Sequence, residues 1–141
     1  TGPKAGGPLY VHRLLAEGPD VAANAGELPG PVGERNSYTL RPKGAVLCVA
    51  EVGVERKAQE DVVRASGNRL AAGENDPELA AVLFSGSTEA LQALRQRLAA
   101  RGGAIVPVHV APYRGAFLRD EVSLSVNTAA AGGNASLMTI G

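Results

Sequence analysis

Residues 81–89 read AVLFSGSTE, four apolar residues running into a Ser-Gly-Ser turn and a Thr-Glu pair. The apolar run is short and unbroken, as in a strand buried on both faces. Gly86 marks the turn and Ser87 the N-cap of a helix over residues 88–101. Its apolar face is Ala90, Leu91, Leu94 and Leu98, and Gly102 and Gly103 end it. The same order stands upstream. Residues 45–50, AVLCVA, follow the turn at Gly44 as a second buried strand. Residues 54–65 place Val54, Ala58, Val62 and Ala65 at helical spacing, with a stop at Gly67 and Asn68. Residues 105–110, IVPVHV, form a third strand that Pro107 assigns to an edge. Strands alternating with helices predict an α/β fold, a Rossmann-like βαβαβ half with a mostly parallel sheet and right-handed crossovers.

The flanks differ in composition. Residues 1–44 hold eight of the 18 glycines and six of the nine prolines, an extended Gly/Pro-rich segment in which little regular structure is expected. Its first stretch, TGPKAGGP, reads either as a plain surface turn or as a loop whose Gly6 and Gly7 free backbone N–H groups to approach an anion. A short apolar segment, 9–15, follows it. Residues 17–33 read as a linker and 38–40 as a short strand. At the other end, 122–126 form a final strand. Residues 125–141, SVNTAAAGGNASLMTIG, carry no charged side chain. Small residues there permit close approach, and Leu137, Met138 and Ile140 offer apolar anchors, so a docking tail is expected. The alternative is an edge strand followed by a disordered Ala/Gly-rich tail.

Composition removes several function classes. The chain has 141 residues, a formal net charge of zero and no basic run, so nothing supplies the electrostatic footprint of a nucleic-acid or anionic-membrane binder. Cys48 is the single cysteine, which excludes an internal disulfide and reads as a small core side chain rather than a nucleophile. His12 and His109 lack a second metal-type ligand at useful spacing, so no metal is expected. No charge-free apolar run approaches bilayer length. These features suit a soluble protein of a reducing compartment. The chain opens on Thr1 in mid-pattern and is read as a piece of a longer polypeptide.

Phe84, Ser85, Gly86, Ser87, Thr88 and Glu89 resemble the Phe-Thr-Gly-Ser-Thr-Glu turn of the aldehyde dehydrogenase superfamily, which in working members opens the helix facing the NAD pyrophosphate. The KGAVL run at 43–47 and RASGN at 64–68 resemble the superfamily's strand start and helix end, in the family order. Departures matter as much. The family's Val-Gly after the turn is Ala90-Leu91 here, and its ribose-holding Lys matches Gly73. Its Glu-Leu-Gly-Gly segment has no counterpart after Val106, and no nucleophilic Cys follows. The resemblance therefore implies a degenerate, non-catalytic nucleotide-binding half that binds no cofactor, with Gly86 and Ser87 as its remnant turn.

The two ends, TGPKAGGPLY with LPGPVGER at 28–35, and 125–141, resemble a family of bifunctional bacterial flavoenzymes. There a barrel oxidises proline with FAD, and a dehydrogenase domain oxidises the semialdehyde to glutamate with NAD. The division this implies is 1–16 as the end of an upstream aldehyde dehydrogenase domain, 17–43 as linker, 44–121 as the degenerate Rossmann domain and 122–141 as strand and docking motif. Gly6 and Gly7 match loop positions that hold the substrate carboxylate. Ser125, Val126, Asn127, Thr128, Asn134, Leu137, Met138 and Ile140 correspond to a lid that docks on the dehydrogenase domain of the same or a neighbouring subunit of a cytoplasmic homo-oligomer, helping channel the intermediate. A different function, a free-standing nucleotide-binding module, would use Gly86 and Ser87 at a helix N-terminus.

Overall fold

The computed structural model describes residues 7–15 and 26–127, the side chains of Pro8, His12 and Arg13 excepted. In chain order its elements are α1 (Pro8–Leu14), β1 (Gly26–Leu28), β2 (Glu34–Pro42), β3 (Ala45–Val49), α2 (Gly53–Ala65), β4 (Arg69–Leu70), β5 (Leu79–Phe84), α3 (Thr88–Ala99), β6 (Val108–His109), a 3₁₀ turn (Gly115–Leu118) and β7 (Arg119–Asn127).

Four strands form a parallel sheet in the order β4-β3-β5-β6. Alternation along β3 and β5 sends side chains to opposite faces. On one, Val46, Cys48, Ala81 and Leu83 meet Val63 of α2 and Leu118 of the 3₁₀ turn. On the other, Leu47, Val82 and Phe84 meet Leu94 and Leu98 of α3 and Val106. A register shift lets Leu79 join this second group although Ala81 points away. Helices thus cover both faces of the sheet, the α/β arrangement that the strand and helix alternation predicts. Leu83, Leu94, Leu118, Val46, Val63 and Val82 lie below 2 % exposure. Each such burial stabilises the fold by about 1.5–3 kcal/mol.

The helix punctuation follows its chemistry. The Ser87 hydroxyl accepts from Ala90 N–H at 3.2 Å and caps α3. Gly67 takes φ +76° after α2, with Gly67 N–H bonded to the Arg64 carbonyl and Asn68 N–H to the Val63 carbonyl, a Schellman closure. Asn68, itself buried, accepts from Gly44 N–H at 2.9 Å and donates to Ser66 Oγ and the Leu118 carbonyl, both at 2.8 Å.

Several expectations shift. The inward residues of α2 are Gln59, Val63 and partly Val62, whereas Val54 is 78% exposed. Gln59 is fully buried because its amide donates to two acceptors, which an apolar pattern does not register. The third strand narrows to Val108–His109, with Ile105 fully outside it. Pro107 has no N–H for the ladder, but its carbonyl accepts from Val82 N–H at 2.9 Å, so the strand sits at the sheet edge as Pro107 predicts. β4 escapes the sequence pattern altogether.

The Gly/Pro-rich region holds more order than its composition suggests. β2 runs for nine residues and pairs antiparallel with β7 along its whole length, from Glu34↔Asn127 to Pro42↔Arg119, with β1 on its other edge. Where the chain leaves β2, Lys43 N–H donates to the Leu118 carbonyl at 3.2 Å, so the parallel-sheet unit begins and ends at one place. Helix α1 seats Leu9 at zero exposure.

Candidate functional site

In open α/β sheets ligands bind beyond the carboxyl ends of the strands, where the strand order reverses. Here the chain passes from β3 outward to β4 and then returns to β5 on the other side, so the crevice lies between β3 and β5. Tyr113 fills it. Gln59 Nε2 donates to the Tyr113 hydroxyl at 2.9 Å and to the Val49 carbonyl at 3.1 Å. The phenol proton has two acceptors at 3.3 Å, the Glu55 carboxylate and the Phe84 carbonyl, and Ser85 N–H closes onto Val49 at 2.8 Å. The terminal backbone groups of both central strands are thereby occupied by the chain itself.

The Gly86 and Ser87 turn borders this crevice at the start of α3. A Cβ on Gly86 would lie 2.8 Å from the Phe84 ring, which requires glycine. The helix terminus already holds an anion: hydrogen bonds from its own backbone N–H and from Ser87 keep the Glu89 carboxyl below the usual glutamate range. Leu91 is half-buried against the Leu47 group. The cavity left between Gly86, Leu91, Ala111 and Tyr113 is about 240 Å³, short of the roughly 300 Å³ at which small-molecule sites begin. Gly73 lies in the turn after β4 with open space where a Cβ would be, and offers no side-chain group to a ribose. Leu91 and Gly73 thus leave this crevice without the space and the side-chain amine that the resemblance assigns to a bound dinucleotide.

Gly7 is the second candidate. It precedes α1, and a Cβ there would stand 2.2 Å from Glu121 Oε1. Glu121 is 7% exposed, and its Oε1 accepts from Leu9 N–H at 3.2 Å and from the Tyr38 hydroxyl at 2.7 Å. Burial, then the neighbouring carboxylate, pushes the Tyr38 phenol far above its usual range. The expected anion-approaching loop thus borders an anion that belongs to the chain. Gly6, Thr128, Asn134, Leu137, Met138 and Ile140 lie outside the described residues. Ser125, Val126 and Asn127 end β7, exposed, opposite Asn36, Arg35 and Glu34, and the Ser125 hydroxyl donates to Asn36 Oδ1.

Other sequence candidates take structural places. Burial pushes the Cys48 thiol up to about 11, away from nucleophilic use. His109 stacks on Phe117 with ring centres 5.1 Å apart. Among the described residues no group of three His, Cys, Asp or Glu could hold a metal, and no helix is long and apolar enough to cross a membrane. Sequence reasoning missed Gln59, Tyr113, Tyr38 and Glu121. None of these left a signal: Glu121 falls in the polar phase of EVSLSV, with Ser123 and Ser125, where an alternating strand predicts exposure.

No family model matches the chain. The bifunctional protein PutA of Escherichia coli K12 is 35% identical over 225 residues, an alignment that takes in 100% of this chain and 17% of that protein. The bifunctional protein PutA of Rhizobium meliloti is 32% identical over 216 residues, covering 100% of the chain and 18% of its own length. Among solved structures, a variant of Bradyrhizobium japonicum proline utilization A superposes with a TM-score of 0.44 at 25% identity, over 62% of this chain and 13% of that one. The chain spans under a fifth of the length of these curated relatives. Across its whole length it is homologous to part of the bifunctional PutA proteins.

Proposed function

We propose that this chain is the C-terminal module of a bifunctional enzyme that converts proline to glutamate through glutamate semialdehyde, and that it is itself non-catalytic. NAD and FAD belong to the upstream dehydrogenase and barrel of that cytoplasmic enzyme. In this reading residues 1–16 close the dehydrogenase domain and 17–43 link it to the degenerate unit 44–121. Gly6 and Gly7 hold the substrate carboxylate, and 122–141 dock as a lid on the dehydrogenase domain of the same or a partner subunit of a homo-oligomer.

The observation that carries the reading is homology to PutA proteins along the whole chain at over 30% identity. The Tyr113 filling of the crevice supports a unit that has given up its cofactor. The test is removal of residues 125–141 from the full-length protein. Proline oxidation is expected to persist while NADH formation from proline acquires a lag. Coupling without a lag at the original rate would overturn the lid. The alternative nucleotide module predicts low-micromolar NAD binding by the wild-type chain, and no such binding is expected.

A further inference from the structure

We propose that the cavity at the end of α3 is a binding site for a small monocarboxylate with an apolar body, its hydrocarbon laid on Leu98, Ile105 and Val108 and its head taken by Arg95 and Arg101. The cavity measures about 380 Å³, above the roughly 300 Å³ at which small-molecule sites begin. It lies at the opposite end of α3 from the Gly86 crevice and is separate from it. Helical spacing sets Arg95, Leu98 and Ala99 on one side of α3, and residues 103–106 continue the lining. Leu98 and Val106 give a buried apolar floor, whereas Ile105 stands 96% exposed at the rim, apolar surface that a hydrocarbon would remove from water. No acid and no lysine lines the cavity. The acids of the nearby loop at 74–78 are already engaged, Glu74 by Arg97, and Asp76 and Glu78 by Arg69. Arg101 Nη2 donates to the Asp76 carbonyl at 3.0 Å, which leaves its other N–H groups uncommitted among the described residues. Arg95 has no hydrogen-bond or ion-pair partner among them. Two guanidiniums without a counter-charge beside an apolar floor select an anion, and their planar donor forks fit a carboxylate.

The test titrates octanoate into the full chain, followed by backbone amide shifts and by calorimetry. Saturable binding is expected, with the largest shifts at Leu98, Ile105 and Val108. Octan-1-ol has the body without the charged head, and acetate the head without the body; each is expected to bind about tenfold more weakly or worse. Arg95→Gln is expected to weaken octanoate about tenfold while leaving octan-1-ol unchanged. Ala104→Phe, at an exposed position, fills the cavity and is expected to abolish binding of both; it decides the matter if Arg95→Gln fails to fold. Equal affinity for octanoate and octan-1-ol reduces the cavity to an apolar patch and overturns the proposal. So does the absence of saturation at millimolar octanoate, or a set of shifts confined to other parts of the chain. A lowered melting temperature of Arg95→Gln with octanoate binding at the wild-type value makes Arg95 a cation serving the helix end only, and overturns it as well.

Discussion

Gln59 and Tyr113 meet at 2.9 Å, the amide of a helix residue donating to a phenol 54 positions later, over the ends of the two central strands. Tyr113→Phe keeps the ring and removes the acceptor of this bond. The loss is expected to cost about 1–2 kcal/mol, read as a lower urea midpoint with an unchanged slope.

Asn68 joins the start of β3, the end of α2 and the 3₁₀ turn through one side chain. Asn68→Asp retains the acceptor for Gly44 and turns a second oxygen toward the Leu118 carbonyl. The folded state then disfavours the charged form, so the folded pKa of the new carboxyl rises above its unfolded value. Its charged form becomes destabilising as pH climbs through that unfolded value. Denaturant titrations at pH 7 are expected to show a loss of about 3 kcal/mol, narrowing on acidification toward pH 4. A loss independent of pH would refute the sign.

The Cys48 thiol is buried in the α2 face of the sheet with its ionisation pushed up to about 11. Thiol reagents at pH 8 are expected to leave the native chain unmodified for as long as it stays folded, and to label it stoichiometrically in denaturant. Labelling of the native state at the rate of a free thiol would place Cys48 elsewhere.

Acids paired with arginines contribute to the low-pH limb of stability. Arg69 holds the Asp76 carboxyl far below its usual range, Arg56 and Arg64 lower that of Glu60, and Arg97 lowers that of Glu74. Depressed folded-state pKa values stabilise above the unfolded values and lose that stabilisation as pH falls through the folded ones. Melting temperature is therefore expected to hold from pH 7 to 5 and fall steadily below pH 4. Arg69→Gln is expected to flatten part of that fall, and added salt to flatten more of it.

The unbroken apolar runs at 45–50 and 81–84 specify the parallel sheet from sequence because both strands are buried on both faces, which writes a continuous apolar signal. The caps at Ser87 and Gly67 are equally legible, since each is a local backbone requirement. Strand β2 is legible only at its centre, residues 38–40, because ERNSYTLRP owes its full extended form to β7, a partner beyond any local window. The site follows the same division. Gly86 and Ser87 announce the crevice, while Tyr113, Gln59 and Glu121 act through hydrogen bonds across 54 to 112 positions. Gly7 is legible as a glycine needed for close approach, but its neighbour is an internal carboxylate that sequence alone cannot place there.

The ribbon of β2 and β7 brackets everything from Lys43 to Leu118. Its two strands are expected to pair after the intervening parallel unit has condensed, because closing so long a loop in an unfolded chain brings little local reward. In that order the α/β unit forms first and the ribbon closes over it as a clasp. Glu121 and Tyr38 stand on that clasp. The seat for segment 7–15 is then completed last, when Glu121 and Tyr38 come together on the paired strands.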